Sequence, residues 1–399
     1  MDSSAIRILM ISTYFQPAWS WGGPVRSMWN LARGLASQAI RVTVLTTNAE
    51  QHGIINLSRE RCEEGVKIIT EKVLGQGKYP MLNRFGMAPG LLKSMVQEIR
   101  KADLVHISGF WGPVPLIATW LCRTYKVYCV ISPRENLQEW GMSQKRFKKI
   151  IFLNTLGWAQ FRGATDFHFT TNQEKEEALS LLIKDRGFIV PNSIEFAAKG
   201  DGERFREKYQ LLKDTMLFGI VGRIHKKKGF EIIIPALSQV PGNLKIKFFI
   251  IGNDENGYKN VVERMVQQYG VADRIVFTGL LKGKELQDAY AALDFLVVPS
   301  YSENFGMVVI EALGQGTPVL VSDNVALKEW ILQNEVGVVL PFDIEDWTQA
   351  IREFCKNGKK SEWLPERLAM VAKDSFSIEK VAQLMIREYR RIISSSDNS

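Results

Sequence analysis

Short apolar, β-branched runs alternate with helix-length segments along the chain, a rhythm that predicts parallel strands joined by crossover helices. In the first half these runs fall near residues 6–12, 42–46, 104–107, 127–131, 167–170 and 188–190. In the second half they fall near 217–221, 246–251, 274–277, 295–298, 319–321 and 336–340. Each half opens alike. "IRILMIS" runs into "TYFQPAWSWGGPVRSMWNLARGL", and "LFGIV" runs into "GRIHKKKGFEIIIPAL", so both show a strand, a glycine-bearing loop and a helix. The repetition predicts an α/β protein with two Rossmann-like domains, 1–192 and 193–375, facing a cleft and joined by a polar hinge at 192–203.

Two carboxylates stand in the nearly uncharged stretch "SYSENFGMVVIEALGQGTPVLVSD". "DFLVVPS" and "PVLVSD" read as buried strands, so "FGMVVIEALGQG" must be the helix between them, opening near Gly306 and closing at Gly314 or Gly316. Glu303 then lies in the loop before that helix and Glu311 in its second turn. Val308, Val309, Ile310, Ala312 and Leu313 surround Glu311 with apolar groups, so the helix is buried. A carboxylate placed there needs hydrogen-bond donors, because burial without them is costly or protonates it.

Ligands of open parallel sheets bind beyond the carboxyl ends of the strands. At the helix start, Asn304, Phe305, Gly306 and Met307 offer free N–H groups and the positive end of the dipole, an anchor for phosphate. Carboxylates on either side of a phosphate make sense if each accepts hydroxyls, and a sugar joined through a diphosphate to a ribose has hydroxyls at both ends. Arg223 and Lys228, in "GRIHKKKGFE", add a planar fork and a mobile point charge that suit a diphosphate leaving group. Gly22 and Gly23 let backbone approach closely from the other half. Plainer readings stand beside these: a loop or capping role for Glu303, a buried arginine partner for Glu311, a solvated turn for Lys226 and Lys227, and a simple turn at the glycines.

With 399 residues, the chain exceeds what a single core usually serves; 46% hydrophobic and 24% charged residues suit a folded protein, apart from the polar tail "SSSDNS". The first strand-like run follows only a few polar residues, which does not suit a signal peptide, and no apolar run reaches membrane-spanning length. A cytoplasmic protein is expected. Cys62, Cys122, Cys129 and Cys355 show neither zinc nor redox spacing. The net charge of +8 suits a polyanionic partner: nucleic acid, anionic lipid or a phosphorylated small molecule. No recognisable reading module organises the basic residues, so nucleic acid is not expected. Residues 143–163 combine five basic residues with Phe147, Ile150, Ile151, Phe152, Leu156, Trp158 and Phe161. That pattern fits an amphipathic helix on the inner, anionic face of the cytoplasmic membrane, or a core-facing helix with a solvated basic edge.

These residues together resemble the retaining glycosyltransferases of family four, which have the GT-B fold, in their bacterial surface-polysaccharide branch. The resemblance rests on E-x7-E (Glu303, Glu311) with "ALGQGTPVLVSD", on "GRIHKKKG", on "VPNSIE" and on "PAWSWGGPVRSMWNLARGLASQAIRVTVLTTN". It extends to "FSIEKVAQLMIREYRRI", within 376–399, which is similar to the terminal helix that crosses back to the first domain in this fold.

The resemblance implies a nucleotide-sugar donor as co-substrate, with no other cofactor. Glu311 would bind the ribose, Glu303 and the backbone of Asn304 to Val308 the transferred sugar, and Arg223 and Lys228 the diphosphate. The base would lie near Gly252, Asn253 and 279–282. In this family the leaving phosphate is held to help deprotonate the acceptor, so no protein nucleophile is required. No D-x-D occurs, so positive side chains would replace a metal clamp, and "DIED" at 343–346 reads as a surface helix start. In "DLVHISGFW", His106 is a candidate active-site residue or a satisfied strand-end histidine, while Ser108 stands where many relatives carry a second histidine. "VISPRENLQEW" has Glu135 where its subgroup usually has glycine. The expected activity is transfer to a hydroxyl of a lipid-linked or cell-surface glycan. A non-hydrolysing nucleotide-sugar epimerase, or an inactive donor-binding partner of another glycosyltransferase, are the alternatives.

Overall fold

The computed structural model describes residues 5–50, 53–78, 85–134, 136–138, 142, 146–181 and 186–394. Its contacts divide the chain into two units, Met1–Glu195 with Phe376–Ser399, and Phe196–Ser375.

The first unit is built on an eight-stranded sheet. Its strands are β1 (Arg7–Ser12), β2 (Arg41–Thr47), β3 (Glu60–Glu63), β4 (Val66–Glu71), β5 (Leu104–Ser108), β6 (Tyr128–Ser132), β7 (Asp166–Phe169) and β8 (Phe188–Ile189). They lie in the order β8-β7-β6-β5-β1-β2-β4-β3. Every neighbouring pair is parallel except β3 with β4. These two strands were not expected from the sequence. They form a hairpin through Glu64 and Gly65, both at positive φ (45° and 78°), and Glu-Gly is a weak signal for such a turn.

β1 alternates its side chains between two cores: Leu9 and Ile11 enter one, Ile8 and Met10 the other. The first core is covered by helices Pro89–Ile99, Pro113–Tyr125 and Trp158–Gly163. Helix α1 (Gly23–Ser37) and the C-terminal helix (Ile378–Ser394) cover the second. Val381, Met385, Ile386, Tyr389 and Ile392 form the buried stripe of that last helix. It packs so closely on α1 that a Cβ at Gly34 would lie 2.6 Å from Ile378 Cγ2.

The second unit has a wholly parallel six-stranded sheet: β9 (Met216–Val221), β10 (Ile246–Ile251), β11 (Ile275–Gly279), β12 (Phe295–Val298), β13 (Val319–Ser322) and β14 (Gly337–Leu340). The order is β11-β10-β9-β12-β13-β14. The chain therefore winds outward from β9 in one direction, returns, and winds outward from β12 in the other. Connecting segments diverge at such a reversal, leaving a crevice beyond the carboxyl ends of β9 and β12. The first unit has the same reversal between β1 and β5. "DIED" begins a helix, Ile344–Asn357, with the Asp343 carboxylate accepting from the Glu345 N–H at 2.8 Å. No helix among the described residues is long and apolar enough to cross a membrane. All four cysteines are free thiols, with Cys122 and Cys129 buried.

Candidate functional site

The loops after β9, β10 and β12 are tied together by backbone hydrogen bonds. Gly222 N–H donates to Ile251 O (2.9 Å), Ile224 N–H to Asn253 O (2.8 Å), and Glu255 N–H to Ile224 O (3.2 Å). This pairing brings the Glu255 carboxylate 2.5 Å from Arg223 Nη1, on a guanidinium side chain 66% exposed. Lys226–Lys228 is one tight turn, capped where His225 Nδ1 accepts from the Lys227 N–H at 3.1 Å. Gly229 follows at φ 70°, where an added Cβ would fall 1.8 Å from the Pro299 carbonyl oxygen. The backbone approach turns the chain into helix α2 (Phe230–Ser238).

From the β12 side, Tyr301 N–H donates to the Lys227 carbonyl at 3.0 Å. The Tyr301 hydroxyl is held by Glu231, whose hydrogen bond, together with burial and the negative charge, pushes its pKa up to about 12. The basic turn is thus clamped between β9 and β12. Lys228 Nζ donates to Glu303 Oε2 at 2.9 Å, with both side chains mostly buried. Burial opposes ionisation of Glu303, but the charge and hydrogen bond of Lys228, with Lys227 and Arg223 behind it, hold the carboxyl below its usual range. Glu303 is also fixed by its backbone, donating to Asn324 O (3.3 Å) and accepting from Ala326 N–H (2.9 Å).

Helix α3 (Met307–Gly314) starts directly after Gly306, which is left-handed at φ 73°. Asn304, Phe305 and Gly306 are buried, and Met307 and Val308 half-buried, around its first turn. Glu311 occupies the second turn, half-buried, and its Oε2 accepts from the Tyr290 hydroxyl at 2.8 Å. The Tyr290 carbonyl in turn accepts from Thr317 Oγ1 at 2.6 Å. Sequence reasoning missed Glu255, Tyr290, Tyr301 and Glu231. Glu255 follows a glycine loop at a strand end, a usable signal, whereas Tyr290 reaches Glu311 from another helix and carries none.

In the first unit, Gly22 and Gly23 are exposed at the start of α1, and a Cβ on either would meet open space. His106, expected either as an active-site residue or as a satisfied strand-end histidine, is buried in the structure. It has no exposed surface; its Nδ1 lies 2.5 Å from the Tyr389 hydroxyl, and its ring meets His168 edge-on. Position 106 points into the layer beneath the C-terminal helix, where burial, with His168 and Arg134 nearby, pushes its pKa well below the usual value. Ser108 sits in register between Ser12 and Ser132 at the carboxyl ends of β5, β1 and β6. Arg134 is buried, donating to Ser27 Oγ (3.0 Å) and Asn192 Oδ1 (2.5 Å), and burial pushes its pKa down. Glu135 and residues 143–145 of the basic segment lie outside the described residues.

Comparison with known proteins agrees with this architecture. The model of the Glycosyl transferase 4-like domain matches residues 22–193, and that of Glycosyl transferases group 1 matches 201–368. An uncharacterized glycosyltransferase of Methanocaldococcus jannaschii is 29% identical over 234 residues, 53% of this chain and 59% of that protein. A D-inositol 3-phosphate glycosyltransferase of Mycobacteroides abscessus is 29% identical over 233 residues, 56% of this chain and 51% of that protein. The chain thus spans between half and three fifths of these relatives. Sucrose-phosphate synthase from Thermosynechococcus elongatus superposes with a TM-score of 0.75 at 20% identity, covering 98% of this chain and 100% of that one. Anabaena HepE, in complex with UDP and glucose, gives 0.73 at 16%, covering 97% and 100%. With two family models on its two units and this likeness of fold, the chain belongs to the family-four type of glycosyltransferases, of GT-B fold.

Proposed function

We propose that the protein is a retaining, metal-independent glycosyltransferase that moves a hexose from a nucleotide-diphosphate sugar to a hydroxyl of a lipid-linked or cell-surface glycan. The observation that carries this reading is the Lys228–Glu303 pair at the crevice between β9 and β12, beside the first turn of α3. A cation, a carboxylate and helix N–H groups meet there, which is what a diphosphate bonded to a sugar requires. Anabaena HepE, of the same fold, was seen with UDP and glucose, which supports a nucleotide-sugar donor.

In this reading the ribose hydroxyls bind Glu311, whose orientation Tyr290 sets. The diphosphate lies over the N–H groups of Asn304 to Val308. Lys228 leaves Glu303 for the diphosphate, and Glu303 accepts a hydroxyl of the transferred sugar. As the anomeric C–O bond breaks, its electron pair goes to the diphosphate, and Lys228 and Arg223 stabilise the charge where it develops. The acceptor oxygen forms the new bond from the same face, and its proton passes to the departing phosphate oxygen. No protein nucleophile is needed and the anomeric configuration is kept. The positive side chains do the work that a metal clamp would otherwise do.

The test is a thermal-shift screen of the whole chain against UDP, GDP, ADP and their sugar conjugates in the presence of a chelator. One nucleotide at about 100 times its Kd should stabilise the protein by about 2.7 kcal/mol. If none does so, the donor site proposed around Lys228, Glu303 and Glu311 is rejected.

A further inference from the structure

The sheet of the second unit ends on an open edge. Among the described residues, β14 pairs with β13 on one side and with no strand on the other. Leu340 O accepts from the Asp323 N–H at 2.9 Å, so the backbone groups of Leu340, and by the period of two those of Val338, face β13. Those of Gly337 and Val339 therefore point outward. An edge of this kind is a template for another strand, and natural edges are commonly blunted by lysine, proline or a bulge. β14 reads "GVVL", in unbroken register with β13, and has none of these.

The edge is also grooved. Between β14 and the helix Ile344–Asn357 lies a cavity of about 540 Å³, with Val338, Leu340, Ala350 and Phe354 as its apolar lining. Asp346 stands beside the carboxyl end of the strand. Lys359 and Lys360 line the opposite end, where the helix has finished and Trp363 Nε1 donates to the carbonyl of Glu335 at 2.9 Å. The groove thus runs from negative to positive along β14. Lys359 also meets Asp294 at 3.1 Å, and Lys360 lies 5.2 Å from the Trp363 ring centre. Midway, Glu353 accepts from Gln349 Nε2 at 2.6 Å, and exposed Glu335 faces Arg367 at 4.0 Å.

This order of charges selects the occupant. A two-fold axis sets a surface against itself with the strand reversed, so Asp346 of one copy meets the lysine end of the other. Centred on Val338, the pairing puts Gly337 opposite the partner's Val339, and Val339 opposite the partner's Gly337. All of these point their backbone groups outward, so each pair exchanges two hydrogen bonds with no slip of register. The Val338 side chains face each other across the axis and, with Leu340, close the two grooves. The +8 charge of the chain is carried elsewhere, since residues 335–367 hold seven Asp and Glu against five Lys and Arg. We propose that β14 is a self-pairing edge, joining two copies of the chain through an antiparallel contact that continues one six-stranded sheet into the other. This interface goes beyond the transfer reaction and does not rest on the donor site.

The experiment is sedimentation velocity of the full chain between about 1 and 100 µM, with hydrogen–deuterium exchange of residues 336–341 at both ends of that range. The wild type should pass from monomer to dimer as its concentration rises, and exchange at 336–341 should slow with it. Val339→Pro removes an outward N–H but no bond to β13, and should weaken association at least roughly 10-fold with the wild-type circular dichroism kept. Asp346→Lys should weaken it as well, and adding Lys360→Glu to that variant should restore it, because the charges are then exchanged across the axis. Wild type that stays monomeric at about 100 µM overturns the proposal and leaves the edge to a strand of another protein. A dimer left intact by both Val339→Pro and Asp346→Lys also overturns it, and so does an Asp346→Lys defect that Lys360→Glu does not repair. Should Val339→Pro fail to fold, the exchange of Asp346 and Lys360 decides alone, since both residues are exposed.

Discussion

Lys228 and Glu303 neutralise each other in a mostly buried contact, so removing one strands the other. Lys228→Ala should depress kcat by on the order of 10²-fold, if the lysine stabilises the leaving diphosphate, while leaving the acceptor KM nearly unchanged; steady-state kinetics with both substrates separates the two. Because the Glu303 carboxyl is held below its usual range, its pairing contributes fully above the ordinary carboxylate pKa and is lost as pH falls through the lowered one. Glu311 depends on a different donor. Tyr290→Phe removes the hydroxyl that orients it, and the donor KM should rise roughly 5-fold with kcat little changed, the size of one lost hydrogen bond. An unchanged donor KM would remove Tyr290 from the site. Of these contacts, Glu303 and Lys228 were legible as residues because each follows an apolar strand and precedes a helix. Their contact was not, since 75 residues separate them.

At the scale of elements, the site depends on how tightly loops can approach. Gly229 is the position where the basic turn crosses the end of β12, with the Pro299 carbonyl occupying the space of a Cβ. Gly229→Ala should destabilise the protein by roughly 2–4 kcal/mol and abolish the nucleotide-induced thermal shift. Gly283→Ala is the control: φ there is 50°, but nothing lies within 4 Å of the added Cβ, so only backbone strain of about 1 kcal/mol is expected. Equal Tm values for the two variants would refute the crossing argument. Helix α3 was readable in advance because glycines bracket an apolar run between two buried strands. The β3–β4 hairpin was not, because "ERCE" reads as a charged surface and its Glu-Gly turn carries little signal.

For the molecule as a whole, acid sensitivity should come from the buried pair of histidines in the first unit. His168 Nδ1 faces Ser132 Oγ at 3.0 Å, its Nε2 donates to Val190 O at 2.8 Å, and Arg134 adds positive charge nearby. Burial and that charge push its pKa down to about 3. The folded state therefore keeps His168 neutral while the unfolded chain, near 6.5, takes up a proton. Stability is whole above pH ~6.5 and should fall by about 1.4 kcal/mol per pH unit per histidine below it. Denaturant unfolding between pH 7.5 and 5 should show this slope, reduced in His168→Gln; an identical slope in the variant would assign the effect elsewhere.

The same histidines show where local pattern stops being informative. Apolar periodicity settled the parallel strands, the helix after Glu303 and the two-part organisation, because each depends on neighbours a few residues apart. Alternation along β5 places His106 and Ser108 on one face of the strand and Ile107 on the other, but a central parallel strand is covered on both faces, so alternation does not say which side meets substrate. The C-terminal helix covers the His106 face, bringing Tyr389 onto His106 from 283 residues away. Tertiary structure alone likewise assigned Glu255 to Arg223, Tyr290 to Glu311 and Lys228 to Glu303. The reason is physical: a buried charge or hydroxyl is satisfied by whatever group folding brings within about 3 Å, and sequence spacing carries no measure of that distance.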